Sequence, residues 1–99
     1  MNLGKMMKDL QAMQTRLQTE IETLEVEGAA GGGMVTASVN GKKELLTLKI
    51  SRDAIDPSEP DLLEDLVVAA VNEAGRKVDD EVASLTRGMA PGLNLPGMG

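Results

Sequence analysis

The side chains that could perform chemistry in this chain of 99 residues are carboxylates, lysines, arginines and hydroxyls, because it contains no histidine and no cysteine. It therefore lacks the most common acid/base group, a thiolate nucleophile, sulfur ligands for metals, and disulfides. The absence of cysteine is compatible with a reducing cytosol. Since most familiar catalytic arrangements are excluded, we predict that the protein is not an enzyme and uses no cofactor.

Two glycine-rich segments and one acidic segment resemble ligand sites only superficially. The segment Gly31–Gly33 is followed by Thr36 where a dinucleotide-binding loop needs its third glycine, and Gly41–Lys43 lacks the first glycine and the final Ser or Thr of a P-loop. Both predict turns. The carboxylates of the acidic segment, residues 53–61, match no calcium-loop spacing and suit the positively polarised N-terminus of a helix. We predict no metal site at these acidic residues: Asp53, Asp56, Glu59 and Asp61.

The basic residues offer a different chemistry, the neutralisation of phosphates. The net charge of −6 argues against a nucleic-acid partner, but residues 1–52 hold seven basic and six acidic residues, whereas residues 53–99 hold three and ten. Locally positive surface is therefore expected around the first helix and the hairpin. With no aromatic residue to stack on bases and no base-reading motif, any bound nucleic acid is expected to be duplex, with little sequence preference.

The first element that must position these charges is a long helix over residues 3–24. Its apolar residues recur at alternating four- and three-residue steps, a heptad-like stripe. Such a helix is about 35 Å long and buries too little alone to offset its ordering, so we predict a partner helix and a homodimer. The stripe, including methionines that we assign to packing, consists of Leu3, Met6, Met7, Leu10, Met13, Gln14, Leu17, Ile21 and Leu24.

Alternation of apolar and polar residues predicts a β-hairpin over residues 34–50. Val35, Ala37 and Val39 share one face, and the alternation resumes at residues 46–50. The intervening Asn40-Gly41 favours a type I′ turn. A further strand near residues 25–30 is compatible with the sequence, although Gly28 and two alanines are poor strand formers.

A connector with two prolines, residues 53–60, leads to a second helix. Ser58 and Asp61 resemble a capping box, and Pro60 suits a first helical turn. The helix is expected to end at Arg87, with Gly88 as the C′ residue just beyond it, and Asn72 is expected in a buried structural role. Residues 1–87 are thus predicted to form a single domain. Residues 88–99, with four glycines, two prolines and no charge, are predicted to be a flexible tail.

Taken together, the motifs resemble the YbaB/EbfC family of bacterial nucleoid-associated proteins over nearly the whole chain. This resemblance implies an α+β protomer of order α-β-β-β-α, with long helices flanking a small antiparallel sheet. It also implies a tweezer-like homodimer that holds double-stranded DNA between or along its helical arms. The motifs are residues 2–8, 31–35 and 39–41, Ile50 with Asp56-Pro57, residues 63–66 leading to 70–74, and residues 96–98.

On the implied arms, six basic residues are best placed to contact phosphates: Lys5, Lys8 and Arg16 on the first helix, with Arg76, Lys77 and Arg87 on the second. Weaker candidates near the sheet are Lys42, Lys43 and Arg52. Acidic neighbours leave open that the second group is simply a solvated face of mixed charge.

The function implied is chromosome organisation or modulation of gene expression. The alternative is a protein-binding adaptor in replication or repair with no direct DNA contact. No apolar run approaches the roughly 18 residues of a membrane helix, and the N-terminus lacks the hydrophobic region of a signal peptide. We therefore predict a cytoplasmic, nucleoid location and no membrane partner.

Overall fold

A computed structural model describes residues 2–89 and contains two long helices and one sheet. The elements, in chain order, are α1 (Leu3–Glu22), β1 (Glu25–Ala30), β2 (Val35–Asn40), β3 (Leu45–Ile50), a short 3-10 helix (Arg52–Ala54) and α2 (Pro60–Met89). The predicted α-β-β-β-α order is confirmed, including the strand that the sequence supported least.

The three strands form an antiparallel sheet in the order β1-β2-β3, with β2 in the centre. The inward residues of β2, Val35, Ala37 and Val39, are buried as their alternation predicted. Helix α2 packs chiefly on β1 and β2. Ile50, at the end of β3, packs against the same core, but the rest of β3 is exposed. The core therefore sits between α2 and two of the three strands.

Small residues let α2 lie directly on β1. A Cβ atom added to Gly28 would overlap backbone atoms of Ala70 and Ala74 on α2. Gly28 is itself buried, and Ala70 and Ala74 are fully buried. Close approach of strand and helix therefore explains a glycine that strand propensity alone disfavours.

The connection between β2 and β3 differs from the predicted type I′ turn. The Lys43 N–H donates to the Asn40 carbonyl at 2.9 Å, and Lys43, rather than Gly41, has a positive φ of 63°. This pattern fits a type I turn followed by a left-handed residue. Gly41 is needed for another reason, since a Cβ there would overlap the Ile21 carbonyl at the end of α1.

The start of α2 also corrects a prediction. Pro60 is the first helical residue, as expected. Ser58, however, does not form a capping box, because its hydroxyl and N–H both donate to Asp56 Oδ1, at 2.7 and 2.9 Å. At the other end α2 runs through Gly88 to Met89, and the remainder of the predicted tail lies outside the described residues.

Helix α1 leaves most of its apolar stripe uncovered in a single protomer. Leu3, Met6, Met7, Leu10 and Met13 are between 42% and 68% exposed. The first residue after α1 that packs into the core formed by the sheet and α2 is Leu24, which lies against Val39, Ala74 and Val78. The part of the stripe within residues 3–13 therefore has no role in the core of one protomer.

Candidate nucleic-acid interface

The N-terminal part of α1 separates its positive charges from its apolar stripe. Lys5, Lys8 and Arg16 are exposed and, at about 100° per residue, fall within an arc of roughly 80°. This arc lies on the side of α1 away from the stripe. Residues 3–16 contain one acidic residue, Asp9, beside these three basic ones. The result is an exposed positive face, which we call the α1 basic face (Lys5, Lys8 and Arg16).

A local hydrogen bond positions the start of this face. The Asn2 side-chain oxygen accepts from the Lys5 backbone N–H at 3.1 Å and so caps α1. An N-cap of this type contributes about 1 kcal/mol to helix stability. It holds the first turn, from which Lys5 projects, without using the lysine ammonium.

On α2, the three candidate basic residues do not share one face. Arg76 and Arg87 are both exposed and lie about 20° apart around the helix axis, whereas Lys77 lies about 100° from Arg76. The Lys77 Nζ donates to the Glu27 carbonyl at 2.8 Å and lies 3.4 Å from Glu73 Oε1. Lys77 is therefore turned towards β1 and its ammonium is partly occupied.

A groove of about 370 Å³ separates the hairpin end from α2, beside Arg76. Lys43 Nζ lies 2.7 Å from Asp79 Oδ1 across this groove, and both side chains are largely exposed. An exposed pair of this kind contributes little to stability. Asn72 also lines the groove and is exposed, so its predicted burial is wrong. Asp79 weakens the positive potential near Arg76.

The remaining weaker candidates lie at opposite ends of the sheet. Lys42 is in the β2–β3 turn and lines a shallow groove with Leu17 and Ile21 of α1. Arg52 follows β3, at the other end of the sheet. The two cannot join one compact site.

Helix α1 and the second half of α2 extend from the same end of the sheet. The β2–β3 turn meets α1 at Ile21, and Leu24 packs in one cluster with Val82 of α2. The structure therefore brings the α1 basic face and the second half of α2, with Arg76 and Arg87, to one end of the molecule. Arg52 is left at the other.

The structure also reveals an apolar surface that the strand pattern did not predict to be open. Leu45, Leu46 and Leu48 of β3 are 49%, 45% and 38% exposed. We call these three residues the β3 leucine edge. The signal in the sequence was Leu45-Leu46, two adjacent leucines that break the alternation of a half-buried strand.

Two further classes of site are absent from residues 2–89. No group of three or more acidic residues there is arranged to hold a metal ion. Neither helix in this part of the chain is long and apolar enough to cross a membrane.

Comparison with known proteins identifies relatives along nearly the whole chain. Residues 1–93 match the model of the YbaB/EbfC DNA-binding family. A nucleoid-associated protein of Clostridium novyi is 43% identical over 101 residues, which cover 99% of this chain and 89% of that protein. A nucleoid-associated protein of Granulibacter bethesdensis is 44% identical over 98 residues, covering 96% and 92%.

The fold has a solved counterpart as well. The crystal structure of an uncharacterized protein from Helicobacter pylori superposes with a TM-score of 0.67 at 24% identity, covering 90% of this chain and 97% of the other. The similarity of that structure supports the fold, and the match along the sequence supports the family. This chain belongs to the YbaB/EbfC DNA-binding family.

Proposed function

We propose that this protein is a nucleoid-associated protein that binds the backbone of duplex DNA, with little sequence preference, and helps to organise the chromosome or modulate gene expression. The observation that carries the proposal is the α1 basic face, which is exposed and set apart from the apolar stripe. Family membership supports DNA as the ligand. The proposed role is binding rather than catalysis.

The shape of the protein supports contacts to phosphates rather than to bases. Helix α1 has 20 residues and α2 has 30, which correspond to rods of about 30 and 45 Å. One turn of duplex DNA measures about 34–36 Å, so each arm could follow roughly a turn of backbone. Lysine and arginine contacts to phosphates hold a protein on DNA but carry no sequence information directly.

The candidate residues are expected to contribute unequally. Lys5, Lys8 and Arg16 have no ionic partner within residues 2–89 and should contribute most. Arg76 and Arg87 should add contacts from α2, where Asp79 and its acidic neighbours reduce the attraction. Lys77 should contribute least, because its ammonium is already bonded to Glu27 and paired with Glu73.

We also propose a homodimer joined at the β3 leucine edge. In the sheet, Leu48 and Ile50 of β3 pair with Ala37 and Val35 of β2. These two residues of β2 form their backbone hydrogen bonds with β1. The backbone N–H and C=O groups of Leu48 and Ile50 therefore point away from the sheet. An open edge with leucine side chains is suited to pairing with an identical strand. Antiparallel pairing about a twofold axis satisfies the open backbone groups of β3 in both copies and leaves no β3 edge for a third copy.

Such a dimer would combine two α1 basic faces. Doubling the number of phosphate contacts raises affinity and steepens its dependence on salt. This arrangement offers an explanation for DNA binding by a protein with a net charge of −6, since the contacts are concentrated on a minority of its surface.

The decisive experiment is a fluorescence-anisotropy titration of the protein against a random duplex of roughly two to three helical turns, at about 50 and 200 mM salt. Affinity should fall steeply with salt, with a log–log slope near −0.9 per phosphate neutralised. Equal affinity for duplexes of unrelated sequence would support backbone contact. Absence of binding at both salt concentrations, or an affinity that does not fall between them, would refute the proposal.

A protein-binding adaptor is the second candidate function, and the observation that favours it is the exposed stripe of leucines and methionines on α1. Methionine-rich helical faces adapt to varied apolar partners. A partner captured by the immobilised protein after complete nuclease digestion would support this function. Loss of all captured proteins on nuclease treatment would count against it.

A further inference from the structure

The sheet has a second open edge, along β1. The Asn40 N–H donates to the Glu44 carbonyl at 3.1 Å and the Ser51 N–H to the Met34 carbonyl at 2.7 Å, both between β2 and the β3 side. Backbone groups in an antiparallel sheet alternate in direction from one residue to the next. The even-numbered residues of β2 therefore bond towards β3.

This alternation determines which groups of β1 point away from the sheet. Glu25, Glu27 and Ala29 pair with the even-numbered residues of β2, so their own N–H and C=O groups point outward. Strand β1 has no further strand beside it. Its outer edge therefore offers a row of donors and acceptors to which another strand could bind.

Lys77 covers the middle of this row. Its Nζ donates to the Glu27 carbonyl at 2.8 Å and lies 3.4 Å from Glu73 Oε1, one helical turn earlier on α2. Glu27 is the central member of the three outward residues. An incoming strand would have to displace the ammonium before it could bond there.

The two edges of the sheet thus differ in chemistry. The outer side of β3 carries exposed leucines, and no side chain within residues 2–89 bonds to the backbone of Leu48 or Ile50. The β1 edge carries Glu25 and Glu27 together with the lysine. A sheet with two accessible edges could pair β1 of one copy with β3 of the next and extend without closing.

We infer that Lys77 closes the β1 edge to strand addition by another copy of this chain, and so limits self-association to the β3 edge. Lysine on an edge strand is a known device against edge-to-edge association. Here the lysine comes from a helix and bonds directly to the edge carbonyl. The inference is independent of DNA binding and applies whether the unmodified protein is a monomer or a dimer.

The test compares Lys77→Met, which keeps a long unbranched side chain but removes the ammonium, with Lys77→Arg, which keeps a charged donor. Light scattering after size exclusion, without DNA, is measured over a wide range of protein concentration. The unmodified protein and Lys77→Arg should keep one mass. The weight-average mass of Lys77→Met should rise about twofold or more at the highest concentration, as open-ended pairing requires.

A second substitution shows whether the β1 edge is the contact. The Ala29 N–H points outward, so Ala29→Pro should leave the bonds between β1 and β2 intact while blocking an added strand. The double variant Lys77→Met, Ala29→Pro should return to the unmodified mass. Ala29→Pro alone, with unchanged circular dichroism, is the folding control.

Two results would overturn the inference: an unchanged mass for Lys77→Met at every concentration, or assembly of Lys77→Met that Ala29→Pro does not reverse. Loss of DNA binding in the separate titration would bear on the proposed function and leave this comparison unaffected.

Discussion

At the scale of single residues, charge alone does not define a contact. Lys8 and Lys77 are both exposed lysines on long helices, yet only Lys77 has its ammonium bonded to the backbone of a strand and paired with a carboxylate. An ammonium already bonded gains less from a phosphate, because it must first give up its present partners. The sequence places Lys8 and Lys77 in one group of candidate phosphate contacts, whereas the structure shows which of the two ammonium groups is already bonded.

Lys8→Ala should weaken duplex binding by a similar factor for all sequences and lower the salt slope by about one unit, because one phosphate contact is lost. Anisotropy titration at two salt concentrations measures both quantities. Lys49→Ala, which removes an exposed lysine of β3 that belongs neither to the α1 basic face nor to the β3 leucine edge, is the matched control. Equal losses for the two variants would mean that the α1 basic face has no special role.

Asp56 shows how one hydroxyl tunes a carboxylate. Hydrogen bonds from the Ser58 hydroxyl and backbone N–H hold the pKa of Asp56 below its ordinary value. The folded-state pKa is thus lower than the unfolded one. The resulting stabilisation is complete above the ordinary Asp range and is lost as pH falls through the lowered pKa.

Ser58→Ala should raise the pKa of Asp56 towards its ordinary value, since the side-chain hydrogen bond is the largest cause of the shift. Carboxyl NMR titration measures this pKa directly. Ser84→Ala, an exposed serine on α2, should leave the titration of Asp56 unchanged. A pKa that stays in place in Ser58→Ala would assign the shift to the backbone instead.

At the scale of elements, small residues determine how helices meet the sheet. Gly28 lets α2 lie on β1, and Gly41 lets the end of α1 lie on the β2–β3 turn. Both glycines are in contact with backbone atoms, which cannot move aside as a flexible side chain can. These two contacts therefore set the positions of the arms that carry the candidate DNA residues.

Gly28→Ala should lower the free energy of unfolding by about 1–3 kcal/mol or more, as overpacking of a close contact does. Gly75→Ala is the matched control: a Cβ there meets nothing within 4 Å, and glycine-to-alanine in a helix interior gains up to about 1 kcal/mol. Urea denaturation of both variants gives the two values. A neutral Gly28→Ala would show that strand and helix separate easily.

At the scale of the whole molecule, the protomer is an elongated body of 70 × 26 × 15 Å with apolar surface left open on α1 and β3. Among the residues whose side chains the structure describes, few are fully buried, and the largest of these are Val35, Val39 and Val78. A small core with exposed leucines is typical of a protein that completes its burial by association.

Leu48→Glu should shift the protein from dimer to monomer, because it places like charges opposite one another across the proposed twofold edge. Analytical ultracentrifugation measures the change, and DNA affinity should fall with it. Leu62→Glu alters an equally apolar exposed residue on α2, outside the β3 leucine edge, and should leave the dimer intact. Dissociation of both variants, or of neither, would argue against the β3 edge as the interface.

Local features of this protein could be predicted from sequence because they depend on neighbours in the chain. The periodicity of α1 and the alternation of β2 follow from side-chain geometry within a few residues. The start of α2 at Pro60 follows from proline's missing N–H. The turn prediction failed where a distant contact competed, since Gly41 meets α1. The cap prediction failed because a nearer acceptor competed, since Ser58 donates to Asp56, two residues earlier.

The sequence by itself thus determined the order of the elements, the two faces of α1 and the absence of histidine and cysteine chemistry. Tertiary structure alone decided which apolar residues are covered by other elements. The sequence pattern of β3 predicts a strand whether or not a helix packs over it. Tertiary structure also decided that Lys77 bonds to β1, fifty residues away in the chain. Contacts of that kind depend on how elements pack together, and local propensity carries no record of them.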